Sequence, residues 1–259
     1  MLKGHKLSYF ICIIILAFSA LGFLFTPNDP HLVNLSIRLQ KNSLQYPLGT
    51  DAMGRCVFSR ILYGGQTTLG IVFLSSIIII LFGVPIGLLM GSTKRTTGVI
   101  GESILNAVTA LPPMAYLIVF LGAWGSGVFT TMIAVGLSLF LRVIKLVKAK
   151  TEIEYSKAYV MCAVASGASK CRILLVHIFP NVLPEVMGFL SLSCGHMIMM
   201  ITGFSFMGLG FGDSVIDWGS MILEAQKVSM IRPEMIVYPI IVVFLCTVSF
   251  NVLGNEQVK

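Results

Sequence analysis

The residues of this sequence best suited to chemistry are crowded into one short run, Cys194-Gly195-His196-Met197-Ile198-Met199-Met200. Imidazole and thioether both ligate transition metals, and imidazole suits nickel. His196 and Met200 are four residues apart, so on a helix they share a face, and no single face presents all four ligands. That face either meets a passing metal or its chelate, or it packs, with methionine filling irregular gaps and the imidazole bonding a carbonyl. No firm metal site follows. Ser205 and His196 offer a nucleophile and a base, but the intervening helix separates them by about 13 Å of rise, too far for a hydrogen bond. The cysteines contain no C-x-x-C, so neither a zinc site nor a disulfide framework is indicated. G-x-x-x-x-G-K-[ST] is also absent, so the chain is not expected to bind ATP itself. No catalytic residue is expected from these spacings.

These side chains sit in a strongly apolar chain. Apolar residues make up 56% of it and charged residues 11%, a membrane composition. A helix crosses about 30 Å of hydrocarbon with about 20 residues. That ruler predicts an all-α membrane protein with six transmembrane helices, near 7–25, 67–91, 103–124, 128–147, 182–206 and 235–253. Lys3, His5 and Lys6 before the first run imitate a signal peptide, but Pro27-Asn28-Asp29-Pro30 lacks a small-x-small cleavage site, so the run is read as a retained span.

With the N-terminus inside, the inner segments hold twelve basic residues: Lys3, Lys6, Lys94, Arg95, Arg142, Lys145, Lys148, Lys150, Lys157, Lys170, Arg172 and Lys259. The outer segments hold six: Arg38, Lys41, Arg55, Arg60, Lys227 and Arg232. The bias predicts both termini in the cytoplasm. The resulting plan is a cytoplasmic N-terminus 1–6, a first span 7–25, an extracytoplasmic loop 26–66, a core 67–254 and a tail 255–259. The net charge of +7 is thereby a topology signal. Its dispersal among short loops gives no nucleic-acid footprint.

Between two spans lies a polar, basic interruption, Tyr159-Val160-Met161-Cys162-Ala163-Val164-Ala165-Ser166-Gly167-Ala168-Ser169-Lys170-Cys171-Arg172-Ile173, followed by His177-Ile178-Phe179-Pro180-Asn181. Ser166–Ser169 reads as a turn in which Gly167 takes positive φ and Ser169 caps the next helix, which Pro180 is expected to stop. This G-A-S-x-x-R-I-x-x-x-H-I-x-P-N spacing resembles the cytoplasmic coupling loop of ABC-importer permeases in the dipeptide/oligopeptide/nickel family. The resemblance implies a type I importer permease fold with a coupling helix–turn–helix over 155–180. It implies ATPase contact by Glu154, Tyr159, Ala163, Gly167, Ala168, Ser169, Arg172, His177 and Pro180. The loop departs from the family's E-Y-V-x-A-A: Ala158 stands at the glutamate position and Cys162 at the first alanine, while Glu154-Tyr155 lies one helical turn upstream.

The outer loop carries Leu48-Gly49-Thr50-Asp51-Ala52-Met53-Gly54-Arg55-Cys56-Val57-Phe58-Ser59-Arg60. It resembles the family's L-G-T-D-x-x-G-R-D-x-x-S-R, with Cys56 in place of an aspartate. The matched positions are Gly49, Asp51, Gly54, Arg55, Ser59 and Arg60, and Asp51 is expected near a helix start, where its carboxylate suits the dipole. The bland alternative is an amphipathic helix with its charges in the headgroups. In 67–91, Gly83, Pro85, Gly87 and Gly91 read as close packing or as a mobile gating helix. Glu102 and Asn106 open the third span, which Pro112-Pro113 breaks. Pro112, Pro113, His196, Met200, Ser205, Gly208 and Gly210 are the candidates for the pore or substrate path, His196 and Met200 only if their shared face lines it. Phe204–Gly212, Trp218-Gly219-Ser220-Met221 and Asn251-Val252-Leu253-Gly254 match further family signatures, with Asn255 at an aspartate position.

The resemblance further implies a heterodimer with a homologous permease, two ATPase subunits carrying ATP and magnesium, an extracytoplasmic substrate-binding protein, and a prokaryotic cytoplasmic membrane. No cofactor is expected on this chain. Cys194-Gly195-His196-Met197 with Phe204–Gly210 is closest to nickel permeases; peptides are the alternative cargo. An ion-coupled secondary transporter fits less well, because His196 alone is ionisable in a span interior, with Glu102 and Glu185 near span ends.

Overall fold

The computed structural model describes residues 2–92, 103, 105–212 and 215–257, with side chains described from 9 to 255. Lys94, Arg95, Glu102 and Lys259, and the side chains of Lys3, His5 and Lys6, lie outside them. Among the described residues the fold is helical, with one isolated bridge between Thr50 and Cys56.

The helices are α1 (Leu2–Leu21), α2 (Val57–Ile78), α3 (Val84–Gly91), α4 (Pro113–Trp124), α5 (Val128–Tyr155), α6 (Ala158–Ala165), α7 (Phe179–Phe206), α8 (Trp218–Gln226) and α9 (Glu234–Gln257). Two of them are extended by π-helical segments. Ile79–Gly83 joins α2 to α3, and Ile173–Ile178 joins the short helix Lys170–Arg172 to α7. Four continuous helices have the length and composition of a membrane crossing: Val57–Gly91, Val128–Tyr155, Lys170–Phe206 and Glu234–Asn255. The first and third expected spans correspond to shorter apolar helices, Tyr9–Phe25 and Pro113–Trp124.

Several boundaries differ from the hydropathy reading, each for a physical reason. The second span starts at Val57, because Arg60 is buried and ion-paired inside the first helical turns rather than ending them. The segment 57–66, left in the outer loop when the span was read from 67, is therefore helix. Pro180 does not stop the helix that follows the Gly167 turn. That helix runs on into α7, with Pro180 in its first turn. Proline lacks an N–H and clashes with the carbonyl four residues back. The π segment just upstream has i→i+5 bonding, so the strict α ladder is already broken where proline would break it. Pro85 follows its own π segment in the same way.

The core lies between α2, α5, α7 and α9. α7 packs along α9 and α5, α5 also covers α3 and α4, and α1 lies against α2 and α9. Gly87 and Gly91 show why α3 can touch α5. A Cβ on Gly87 would stand 2.6 Å from Val147 Cβ, and one on Gly91 would stand 2.7 Å from the Lys148 carbonyl. This is the small-xxx-small packing of membrane helices. Trp218 is fully buried, and its Nε1 donates to the Ile61 carbonyl at 3.0 Å, tying α8 to α2. Large apolar side chains such as Phe73, Ile77, Phe129 and Phe244 remain on the surface. Such a surface suits lipid or another membrane chain.

Candidate functional site

At one end of the bundle α5 finishes at Tyr155 and the chain turns into α6. Val160 is 1% exposed and pins α6 to the core, while Met161 and Val164 point outward at 59% and 53%. Gly167 then takes φ +78°, with nothing within 4 Å of where a Cβ would be. The glycine is required by conformation, not by space. Ser169 caps the next helix through Arg172 N, as expected. Ala163 and Ala168 pack on the core; Ser169, Arg172 and Pro180 are exposed.

A polar knot fastens α6 to both neighbouring spans. Tyr159 Oη donates to Glu154 Oε2 at 2.6 Å, and Lys157 Nζ donates to Glu154 Oε1 at 2.5 Å. Asn181 Nδ2 reaches Tyr159 Oη at 3.2 Å and the His177 carbonyl at 2.7 Å. Glu154 thus looks inward, holding the element, while its partner Tyr159 lies at the surface. Desolvation, then the Glu154 carboxylate, push the Tyr159 phenol above its ordinary value, so it stays a proton donor.

The opposite end holds residues 26–56 and α8. Asp51 does not serve a helix start. Its Oδ1 accepts from Met53 N and Arg55 N at 2.8 and 2.9 Å, and α2 begins later, after Cys56. Its Oδ2 binds Arg55 Nε at 2.7 Å and Arg60 Nη1 at 2.6 Å. Both arginines continue to Glu224 of α8, each at 2.5 Å. Arg60 is 3% exposed, so these charges do not sit in headgroups. Gly49 and Gly54 occupy turns at φ +76° and +74°. Ser59 accepts from Asn28 N at 3.2 Å. Cys56 is buried, so it offers no thiol at the surface. Glu224 was missed by sequence reasoning; the available signal was a lone carboxylate in a short helix rich in apolar residues.

The expected path residues do not converge. His196 stands exposed on α7, and Met200 is half-buried against the core, with Met197 buried beneath. Among the described residues no group of three or more His, Cys, Asp or Glu could hold a metal. Ser205 is turned away from any path. It is 3% exposed, and its hydroxyl donates to Asp217 Oδ1 at 2.7 Å. Asp217 Oδ2 accepts from Gly219 N and Ser220 N, a capping box opening α8. Burial pushes the Asp217 carboxyl above the usual carboxylate range, against four hydrogen bonds that lower it. Gly210 packs against Ser205, and Gly208 takes φ +80° in the same connection. Pro112 is exposed in a break between helical residues 105–109 and α4, as expected.

The profile of the binding-protein-dependent transport system inner membrane component family matches residues 83–255. The chain belongs to this family. It is an ABC-importer permease of the peptide and nickel group, a multi-pass membrane component and not an enzyme. It is 28% identical over 253 residues to the nickel transport system permease protein NikC of Escherichia coli (strain K12), covering 95% of this chain and 90% of that one. The dipeptide permease DppC of Alkalihalophilus pseudofirmus is 28% identical, covering 98% and 84%. The glutathione permease GsiD of Pectobacterium atrosepticum is 30% identical, covering 80% and 69%. Among solved structures, an inward-facing form of the MetNI methionine ABC transporter matches with a TM-score of 0.61 and 14% identity, over 77% of this chain and 97% of that one. That likeness carries the type I fold alone.

Proposed function

We propose that this permease forms half of the pore of an ATP-driven importer that takes up nickel or a metal chelate. Its partners would be a homologous permease, two ATPase subunits that bind ATP and magnesium, and an extracytoplasmic binding protein. Six spans with both termini in the cytoplasm place α6 inside and the Asp51–Arg60–Glu224 cluster outside, in keeping with the excess of basic residues on the α6 side. α6 then docks on an ATPase through its exposed apolar side chains, and the Tyr159 knot passes the movement to α5 and α7. Alternating access follows when those spans tilt against the partner.

The observation that carries the reading is α6 itself. It is a short apolar helix with one side fastened to two spans and the other left bare, ending in a glycine turn. For the cargo, support comes from the nickel permease that aligns along nearly the whole chain. Short peptides are the second reading, favoured by dipeptide and glutathione permeases of equal or higher identity. The test is to purify the tagged chain from its own cell, identify the binding protein it captures, and determine that protein's ligand by mass spectrometry with metal analysis. A bound metal or chelate supports the first reading; a peptide without metal replaces it with the second. Failure of any ATPase to copurify would overturn both.

A further inference from the structure

The exposed face of α2 changes character along its length. Near its start Tyr63, Gln66, Thr67 and Gly70 follow a helical i, i+3, i+4, i+7 pattern. From Phe73 onward the exposed residues are apolar: Leu74, Ile77 and Ile78. The polar part opens into a cleft of about 850 Å³, closed on the other side by His31, Val128 and Met132. His31 and Tyr63 meet edge to face, with ring centroids 5.3 Å apart. Among the described residues, the Tyr63 hydroxyl, the Gln66 amide, the Thr67 hydroxyl and the His31 ring have no hydrogen-bond partner. Met132 also lines a second, apolar cleft of about 650 Å³ further along, with Ile79, Phe82 and Phe140.

Lipid is a poor neighbour for such a stripe. An unsatisfied polar group in hydrocarbon costs several kcal/mol, so polar side chains in spans face protein or a water-filled cavity. We infer that the Tyr63–Gln66–Thr67 face of α2, with His31 across the cleft, is the outer vestibule of the translocation path and makes the first polar contact with the substrate. This rests on the importer reading above, which puts that end of α2 outside. Among the described residues the cleft lining contains no carboxylate, lysine or arginine. It takes a solute whose charge is already compensated, held by neutral hydrogen bonds: a chelated metal, not a bare divalent cation that needs anionic oxygens. Beyond Met132 the lining turns apolar, so the hydrogen-bonding groups are confined to this end of α2.

The test uses the assembled transporter in intact cells, with Cys162 and Cys171 replaced, because the other four cysteines are buried. Gln66→Cys and Gly70→Cys are treated with a membrane-impermeant, positively charged thiol reagent. Both should be modified from outside. In parallel, Gln66→Leu/Thr67→Val should lower uptake of nickel supplied as its histidine complex by roughly fivefold or more, the scale of one or two lost neutral hydrogen bonds. ATPase subunits should copurify as before. A labelled dipeptide is the second arm: a loss confined to it keeps the vestibule but transfers its substrate class to peptides, overturning the chelate assignment. Unmodified cysteines, or unchanged uptake of both solutes, overturn the vestibule. Loss of the ATPase subunits from the unsubstituted complex is a separate readout and counts against the importer reading instead.

Discussion

Arg60 offers the sharpest test of how the Asp51–Glu224 end of the bundle is held. Its guanidinium bridges Asp51 and Glu224 with contacts of 2.6, 2.5 and 3.1 Å, and it is 3% exposed. Arg60→Met keeps length and apolar volume and removes the charge. Breaking a buried pair by deleting one partner costs about 3–5 kcal/mol, chiefly because the other charge stays buried. Three features reduce that figure. Arg55 remains bound to both carboxylates, the Glu224 side chain is 38% exposed, and Arg60 Nε already lacks an acceptor. The expected loss is ~2–3 kcal/mol, which lowers the melting midpoint by roughly 4–12 °C for a chain of this size. Intrinsic tryptophan fluorescence in detergent is a suitable assay, because buried Trp218 bonds the carbonyl of Ile61, the residue after Arg60. Arg60→Met/Glu224→Met should recover part of the loss, since the remaining carboxylate, Asp51, keeps two backbone N–H donors and Arg55. A single variant that melts within about 1 °C of the parent, or a double variant less stable than the single, would refute the argument that the bridge holds this end.

Three further outcomes follow from the same geometry. Tyr159→Phe should cost only ~1 kcal/mol, because water replaces the hydroxyl at a side chain 38% exposed; the permease should retain its ATPase but import less substrate per ATP hydrolysed, and an unchanged ratio would remove Tyr159 from the transmission. Gly167→Val should cost ~1–2 kcal/mol from its left-handed backbone without any clash and should weaken ATPase retention on purification, whereas Gly167→Asn, which tolerates that conformation, should stay near the parent. Asp217 has a raised folded-state pKa, so its contribution is fully present below the unfolded value of about 4 and fades as pH rises through the folded value; Asp217→Asn should flatten that part of the stability–pH curve, while Asp217→Ala should lose ~1 kcal/mol of helix capping, and an unaltered slope in the Asn variant would rule out the burial argument.

The fold class was legible because a bilayer imposes one crude requirement, a long apolar helix, and hydropathy reads it directly. The helix ends were less legible. A charge in a hydropathy window looks like a boundary, yet Arg60 lies inside α2 because Asp51 and Glu224 neutralise it there. Glu224 is far from Arg60 in sequence, and nothing local in either segment announces the pairing. The Gly167 turn was legible because its requirement is local: a left-handed residue followed by a capping serine. The knot between Tyr159, Glu154 and Asn181 was not, because it depends on how three helices meet. For His196 and Met200 the helical period correctly put both residues on one face. It carried no information about what that face meets, and the structure separates them by burial.

The two prolines at π segments show why breaker residues misled most. Pro85 and Pro180 each follow a π-helical stretch within a continuous helix, Val57–Gly91 and Lys170–Phe206. A π turn is wider than an α turn and already departs from the i→i−4 ladder, so a proline placed just after it removes little that was still there. The sequence reading gave Pro180 its usual effect, a stop, and counted Pro85 among the residues of a close-packed or gating helix. In the structure each is instead paired with a local change of helix pitch, and the helix continues. The consequence for the proposed transport cycle is specific. Pro180 and its π segment lie between α6, the proposed docking element, and the body of α7, where the His177 carbonyl accepts from Asn181. Movement of α6 has two connections to α7, this irregular turn and the Tyr159–Asn181 hydrogen bond just beyond it. A rigid α-helix there would move as a rod, whereas a π turn can change its bonding from i→i+5 to i→i+4 and rotate the side chains beyond it. The irregular turn that made this segment hard to read in sequence thus lies where the proposed coupling element joins α7.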